Sequence, residues 1–130
     1  MIVADASAVL ELLLGTDAAP RVAARLLDPS ETLHAPHLLD VEVVQAVRRY
    51  AISGGLDARR GERALADLLD LPLRRHPHTV LLRRAWELRR SISAYDAVYV
   101  ALAEALNAPL VTRDVRLARA HGHRARIEVL

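Results

Sequence analysis

The stretch Ile2-Val3-Ala4-Asp5-Ala6-Ser7 decides the fold class, because an apolar run ends in a carboxylate and a helical pattern follows at once. Ile2 to Asp5 predicts a short buried strand, and Ser7 to Leu14 predicts an apolar helix. The same order returns late in the chain, where Pro109 to Thr112 predicts a strand and Asp114 opens another helix. A buried strand that leads into a helix at both places is typical of an α/β protein.

The segments between these two places carry the same alternation of strands and helices. Further strands are predicted over Leu33–Ala35, Leu71–Arg75 and Ile127–Leu130, and further helices over Ala18–Leu27, Leu38–Ile52, from Asp57 towards Asp70, His78–Arg90, Ala94–Leu106 and Asp114–Ala120. The core-facing positions are predicted to be Leu39, Val43, Ala46, Val47 and Tyr50 in one helix and Val80, Leu81, Ala85 and Leu88 in another. We therefore predict one domain over residues 1–130, of the three-layer α/β/α class, with a central, mostly parallel sheet of short strands.

Composition excludes several classes of site. The chain has no cysteine, so any metal must be held by oxygen or imidazole. All 18 basic residues are arginine, and the absence of lysine excludes the P-loop and phospho-receiver mechanisms. A strand begins directly after Met1 and charges interrupt every apolar run, so we expect a cytoplasmic protein with no membrane partner.

Acidic residues occupy equivalent places in this predicted fold. Asp5 and Asp114 lie at or just beyond the ends of two strands, and ligands of open α/β sheets bind outside the carboxyl ends of the strands. Glu42 and Asp96 each lie in a helix that is otherwise apolar. We expect these four carboxylates to face one another across a shared site.

A cluster of carboxylates favours a bound divalent cation. Each pair about 5 Å apart repels by roughly 3 kcal/mol at an effective dielectric constant near 20, and a cation between them removes that cost. Mg²⁺ and Mn²⁺ prefer oxygen ligands and support the hydrolysis of phosphodiesters. The acids therefore indicate a metal-dependent phosphodiesterase.

Each acid also has a purely structural interpretation. Asp5 and Asp114 could be N-caps of the helices that follow them, and Ser93 with Asp96 has the spacing of a capping box. Glu42 has no intrahelical partner for a salt bridge, which leaves a solvated helix face as its alternative. Four independent structural roles explain the joint pattern less well than one site does.

Four stretches together resemble a PIN domain, and more closely the VapC toxins of toxin-antitoxin pairs. They are Val3-Ala4-Asp5-Ala6-Ser7, Pro36 to Glu42, Tyr95-Asp96-Ala97-Val98-Tyr99-Val100-Ala101-Leu102-Ala103 and Val111-Thr112-Arg113-Asp114. The resemblance covers the whole chain. It matches the family's catalytic and metal-binding acidic tetrad to Asp5, Glu42, Asp96 and Asp114, and its supporting hydroxyl positions to Ser7 and Thr112.

The resemblance implies an endoribonuclease that uses Mg²⁺ or Mn²⁺ and acts as a toxin. It also implies a homodimer, inhibition by a VapB-like antitoxin, and tRNA or ribosomal RNA as the substrate. Asp5 and Asp96 are the expected direct ligands, with Glu42 and Asp114 completing the site. Two alternatives stay open, a PIN-like binding module without catalysis and a metal-dependent nuclease that cuts DNA.

Overall fold

Five parallel strands form the centre of the protein, which we describe from a computed structural model that covers residues 1–130. The strands are β1 (Ile2–Ala4), β2 (Leu33–Pro36), β3 (Leu73–His76), β4 (Leu110–Thr112) and β5 (Ile127–Val129). Their order in the sheet is β3-β2-β1-β4-β5, and every neighbouring pair is parallel. The prediction of an α/β protein with a parallel sheet is confirmed.

Helices cover both faces of the sheet. They are α1 (Ala6–Leu14), α2 (Ala19–Leu26), α3 (Leu38–Ile52), α4 (Ala58–Asp70), α5 (Leu82–Glu87), α6 (Ala94–Leu106) and α7 (Val115–Ala118), with a 3₁₀ turn at Thr79–Leu81 before α5. Helices α1 to α4 pack on one another. Helix α6 packs on β1, β2 and β4, and α5 packs on α6. None of these helices is both long and apolar enough to cross a bilayer.

The core is built around β1 and α6. Ile2, Val3 and Ala4 are all completely buried, because β1 has a strand on each side and helices on each face. In α6 every residue from 97 to 103 is buried. Strands and helices that are apolar on all sides are expected where an element has no solvent face.

The strand order reverses between β1 and β4, and the candidate site lies at this point of the sheet. The chain moves outward from β1 to β2 and β3 on one side, then returns to lay β4 and β5 on the other. Ligands of such sheets bind in the crevice where the strand order reverses, outside the carboxyl ends of the strands. Asp5 follows β1 there, and its backbone N–H donates to the carbonyl of Val111 in β4 at 3.0 Å.

Two predicted core positions are wrong. Tyr50 is 49% exposed, because the last turn of α3 extends past the packed core and residues 48–50 all face solvent. Val80 is 83% exposed, because the predicted helix over 78–90 is a 3₁₀ turn followed by the short α5. A 3₁₀ turn has 3.0 residues per turn, so a single α-helical period does not run through the segment. Leu81, Ala85 and Leu88 are buried as predicted.

Candidate active site

One cavity of about 660 Å³ at the carboxyl end of the sheet contains all of the predicted acids. Its acidic lining consists of Asp5, Glu42, Asp96 and Asp114, and we call it the acidic cavity. Each acid comes from a different place in the fold: directly after β1, in the second turn of α3, in the first turn of α6, and between β4 and α7. Residues far apart in the chain are therefore brought to one surface by the sheet topology.

Asp5 is held in place by two hydroxyl groups. Ser7 Oγ and Thr112 Oγ1 both donate to Asp5 Oδ2, at 2.7 and 2.6 Å. In turn, Ser7 Oγ accepts from the Arg113 backbone N–H and Thr112 Oγ1 accepts from the Asp114 backbone N–H, each at 3.0 Å. Each hydroxyl thus donates its single proton to Asp5 and accepts a hydrogen bond from a backbone N–H of the loop after β4. Asp5 makes no side-chain cap hydrogen bond to α1, so its carboxylate belongs to this network.

Glu42 is the most perturbed acid of the cavity. Burial, followed by the negative charges of Asp5 and Asp96, raises the pKa of Glu42 to about 7. One oxygen, Oε2, accepts a long hydrogen bond of 3.4 Å from the Tyr99 hydroxyl. The other oxygen, Oε1, is buried without any hydrogen-bond partner. A buried carboxylate oxygen with no donor is costly to ionise unless a cation approaches it.

Asp96 has a similar environment in the first turn of α6. Burial raises its pKa, and the charges of Asp5 and Asp114 add to that rise. The Ser93 hydroxyl and Arg116 oppose it only in part. At the helix terminus, Ser93 Oγ accepts from the Asp96 backbone N–H at 3.2 Å. The cap is therefore the hydroxyl oxygen of Ser93, and Asp96 is one of the residues that line the cavity.

Asp114 differs from the other acids because it has a cationic partner. Arg116 donates to its two carboxylate oxygens, from Nε at 3.1 Å and from Nη2 at 2.9 Å, and these bonds lower the pKa of Asp114. The backbone N–H of Arg116 also donates to Asp114 Oδ1 at 2.8 Å, which makes Asp114 a true N-cap of α7. Asp114 thus has the predicted structural role of a helix N-cap and also lines the acidic cavity.

The donor set suits a hard divalent cation. In this structure no three acidic or histidine side chains are close enough together to bind one metal ion, and the Asp114 carboxylate is hydrogen-bonded to Arg116. However, four carboxylates line the cavity together with side-chain hydroxyls, the Gln45 amide and two arginines. Two of its acids have raised pKa values, and Glu42 Oε1 lacks any donor. Oxygen ligands of this type fit Mg²⁺ or Mn²⁺, whose charge would relieve the mutual repulsion of the acids.

Several residues near the site were not singled out by the sequence. Tyr99 lies one turn after Asp96 on α6, and i, i+3 spacing could have placed the two on one face. Burial and the nearby negative charges of Glu42 and Asp5 raise the pKa of Tyr99 far above its usual range, so it stays a hydroxyl donor. Arg116 had no pattern of its own beyond its position two residues after Asp114.

Comparison with known proteins adds family relationships. The family model described as PIN domain matches residues 2–122. Ribonuclease VapC12 of Mycobacterium tuberculosis is 45% identical over 130 residues, which is 100% of this chain and 99% of that protein. Ribonuclease VapC9 of the same species is 50% identical over 117 residues, which is 90% of this chain and 88% of that protein.

A solved structure shares the fold at lower identity. The crystal structure of VapBC2 from Rickettsia felis, bound to a DNA fragment from their promoter, superposes with a TM-score of 0.71. The match covers 99% of this chain and 98% of that chain at 17% sequence identity. This likeness supports the three-layer architecture described above.

Proposed function

This chain belongs to the PIN-domain family, and from that premise we propose that it is a metal-dependent endoribonuclease that acts as the toxin of a toxin-antitoxin pair. The observation that carries the proposal is the convergence of Asp5, Glu42, Asp96 and Asp114 on one cavity at the point where the strand order reverses. Relatives that are 45% to 50% identical over nearly all of this chain are ribonucleases of the VapC group.

The acids divide into two pairs according to their environment. Asp5 and Asp96 are proposed as direct ligands. Asp5 Oδ2 is already held by two hydroxyls, which leaves Oδ1 without a protein donor, and burial together with the charges of Asp5 and Asp114 raises the pKa of Asp96. Glu42 supplies its unpartnered Oε1. Asp114 completes the set once Arg116 releases it. When bound, Mg²⁺ or Mn²⁺ would supply the Lewis acid for phosphodiester hydrolysis.

Ser7 and Thr112 are positioning residues in this proposal. Their hydroxyls fix one Asp5 oxygen and connect it to the loop that carries Asp114. A carboxylate held in this way loses little rotamer entropy when it takes up a cation. Ser7 and Thr112 thus align the acids contributed by β1 and β4.

We further propose that the chain forms a homodimer and is inhibited by a VapB-like antitoxin. The kinship with VapC proteins supports the antitoxin partner. The homodimer is what the same kinship implies, and the individual apolar side chains of Val41, Ile52 and Trp86 are each at least two-thirds exposed on α3 and α5.

Metal-dependent RNA cleavage is the first expected result. The purified chain should cut tRNA or ribosomal RNA in Mn²⁺ or Mg²⁺, stop in EDTA, and resume when the metal is added back, because the acids repel a polyanion until a cation is bound. Gel electrophoresis of labelled RNA and of DNA with the same sequence measures this, with Asp5→Asn as the control for contaminating nucleases.

The two alternative functions predict different cleavage patterns on these gels. A DNA nuclease would cut the DNA strand at least as fast as the RNA. A binding module without catalysis would leave both intact at every metal concentration. Cleavage that persists unchanged in EDTA would contradict the metal site itself.

Growth arrest is the expected result in cells. Expression of the chain alone in a bacterial host should stop growth, because it cleaves RNA needed for translation, whereas Asp5→Asn expressed at the same level should not. Colony counts together with soluble protein levels measure the effect. Normal growth at confirmed soluble expression of the unmodified chain would be evidence against a toxin.

A further inference from the structure

A second cavity of about 510 Å³ opens beside the acidic cavity and shares part of its wall. Ser93, Asp96, Asp114 and Arg116 line both cavities. Beyond these shared residues the chemistry changes, and the polar lining consists of Ser91, Arg119 and His121. We call this second cavity the basic cleft. The acidic cavity has four carboxylates and two arginines, whereas the basic cleft has two carboxylates, two arginines and a histidine, so negative charge predominates less in the cleft.

Arg119 is an available cation in the basic cleft. It follows the last residue of α7 and is exposed, and none of the nine ion pairs of the protein includes it. By contrast, Arg75 is bound to Asp40 at 2.7 Å and Arg84 to Glu104 at 2.8 Å, so both serve the scaffold. An unpaired guanidinium does not need to break an existing bond before it takes a phosphate.

The far wall of the basic cleft is held in place by hydrogen bonds. Arg84 Nη2 donates to the carbonyl of Gly122 at 3.0 Å, and the same guanidinium is paired with Glu104. Glu104 also accepts from the Arg124 backbone N–H at 2.8 Å. The loop that carries His121 is therefore fixed to α5 and α6 at two points just after His121. A fixed wall reduces the entropy lost when a ligand binds.

We propose that the basic cleft binds the RNA backbone next to the scissile bond, with Arg119 as the main phosphate ligand and His121 and Ser91 as further hydrogen-bonding groups. This inference rests on the proposed ribonuclease function. RNA that crosses the acidic cavity has its phosphates repelled by the carboxylates there, and the adjoining cleft offers the compensating charge. The chain has 3% aromatic residues and no Phe, so backbone contacts must supply affinity that base stacking gives elsewhere.

Binding of a labelled single-stranded RNA oligonucleotide tests the proposal without relying on turnover. Fluorescence anisotropy is measured in Ca²⁺ at several salt concentrations, and gels verify that the RNA stays intact. Arg119→Ala should raise the Kd about 5- to 10-fold, because a charge-assisted phosphate contact is lost. It should also lower the slope of log affinity against log salt concentration by about 0.7, the value for one phosphate contact on a single strand.

Arg21→Ala is the matched control. Arg21 is exposed on α2 and lines neither cavity, and its removal changes the net charge by the same amount. It should keep the Kd within about twofold of the unmodified chain. Arg119→Lys retains the charge and should restore most of the salt slope, which keeps the test informative if Arg119→Ala lowers the melting temperature.

The outcomes separate the basic cleft from the nuclease function. If Arg119→Ala binds RNA like Arg21→Ala while the unmodified chain cleaves RNA in Mn²⁺, the cleft proposal is wrong and the ribonuclease function stands. If Arg119→Ala loses affinity but the unmodified chain never cleaves RNA, the cleft stands as an RNA-binding site and the proposed catalysis is wrong.

Discussion

Asp96→Asn is expected to lower the rate of manganese-dependent RNA cleavage by about three orders of magnitude, since a metal site contributes several kcal/mol to the transition state. The substitution replaces an anionic oxygen by a neutral amide where the function proposed for Asp96 is to hold a cation. The N-terminus of α6 should remain capped, because Ser93 Oγ accepts from the backbone N–H of residue 96 and not from its side chain. The measurement is the single-turnover rate on a labelled RNA.

Stability without metal should move in the opposite direction. Burial and the charges of Asp5 and Asp114 raise the pKa of Asp96, so neutralising it removes one member of a repelling cluster. The melting temperature of Asp96→Asn in EDTA should equal or exceed that of the unmodified chain. Retained cleavage combined with a lowered melting temperature would mean that Asp96 is a structural residue only.

Asp57→Asn is the matched control for this substitution. Asp57 also lies at a helix N-terminus, where its carboxylate accepts from the Arg60 backbone N–H at 2.8 Å, but it does not line the acidic cavity. Asparagine caps helices about as well as aspartate. Cleavage and stability should therefore both stay close to those of the unmodified chain.

Glu42→Gln is expected to stabilise the metal-free protein at pH 8 by about 2 kcal/mol. The pKa of Glu42 is about 7 in the folded protein, raised by burial and by Asp5 and Asp96, against an ordinary value of 4.5. The folded state holds this proton more tightly than the unfolded state, so Glu42 lowers the stability as the pH rises from about 5 to 8. Glutamine has no such proton to lose.

Urea unfolding in EDTA at a series of pH values measures this effect. The free energy of unfolding of Glu42→Gln minus that of the unmodified chain should be small at pH 5 and grow up to pH 8. Glu62→Gln is the control, because Glu62 is exposed on α4 and makes no ion pair. A difference that does not change with pH would contradict the raised pKa of Glu42. Added Mn²⁺ should stabilise the unmodified chain more than Glu42→Gln.

The sequence predicted correctly those helices and strands whose ends are marked by proline, glycine or capping residues. The helix over Leu38–Ile52 was predicted to the residue, since Pro36 precedes it and Ser53 with two glycines follows it. The acids at strand ends were found for the same reason, because a strand end is visible in the pattern. Their meeting in one cavity follows from the parallel sheet, which the alternation of elements already indicated.

Features that depend on contacts distant in sequence could not be predicted. The pattern could not show that the last turn of α3 leaves Tyr50 outside the core. Nor could it show which arginines are tied to the scaffold: Arg75 meets Asp40 only because β3 lies beside β2. The raised pKa of Glu42 likewise depends on burial and on the approach of Asp5 and Asp96, neither of which can be read from neighbours along the chain.

The central position of β1 makes the acidic cavity depend on a strand that is synthesised late. In the sheet β1 pairs with β4, so Ala4 aligns with Val111, and Asp5 gains the second of its two hydroxyl donors only when Thr112 is in place. Contacts between residues this far apart in the chain close late in folding and slow it. A nascent chain grows at about 5–20 residues per second and can pair β1 with β2 long before β4 has been made. The acidic cavity therefore cannot be complete on a nascent chain before residues up to Asp114 have emerged.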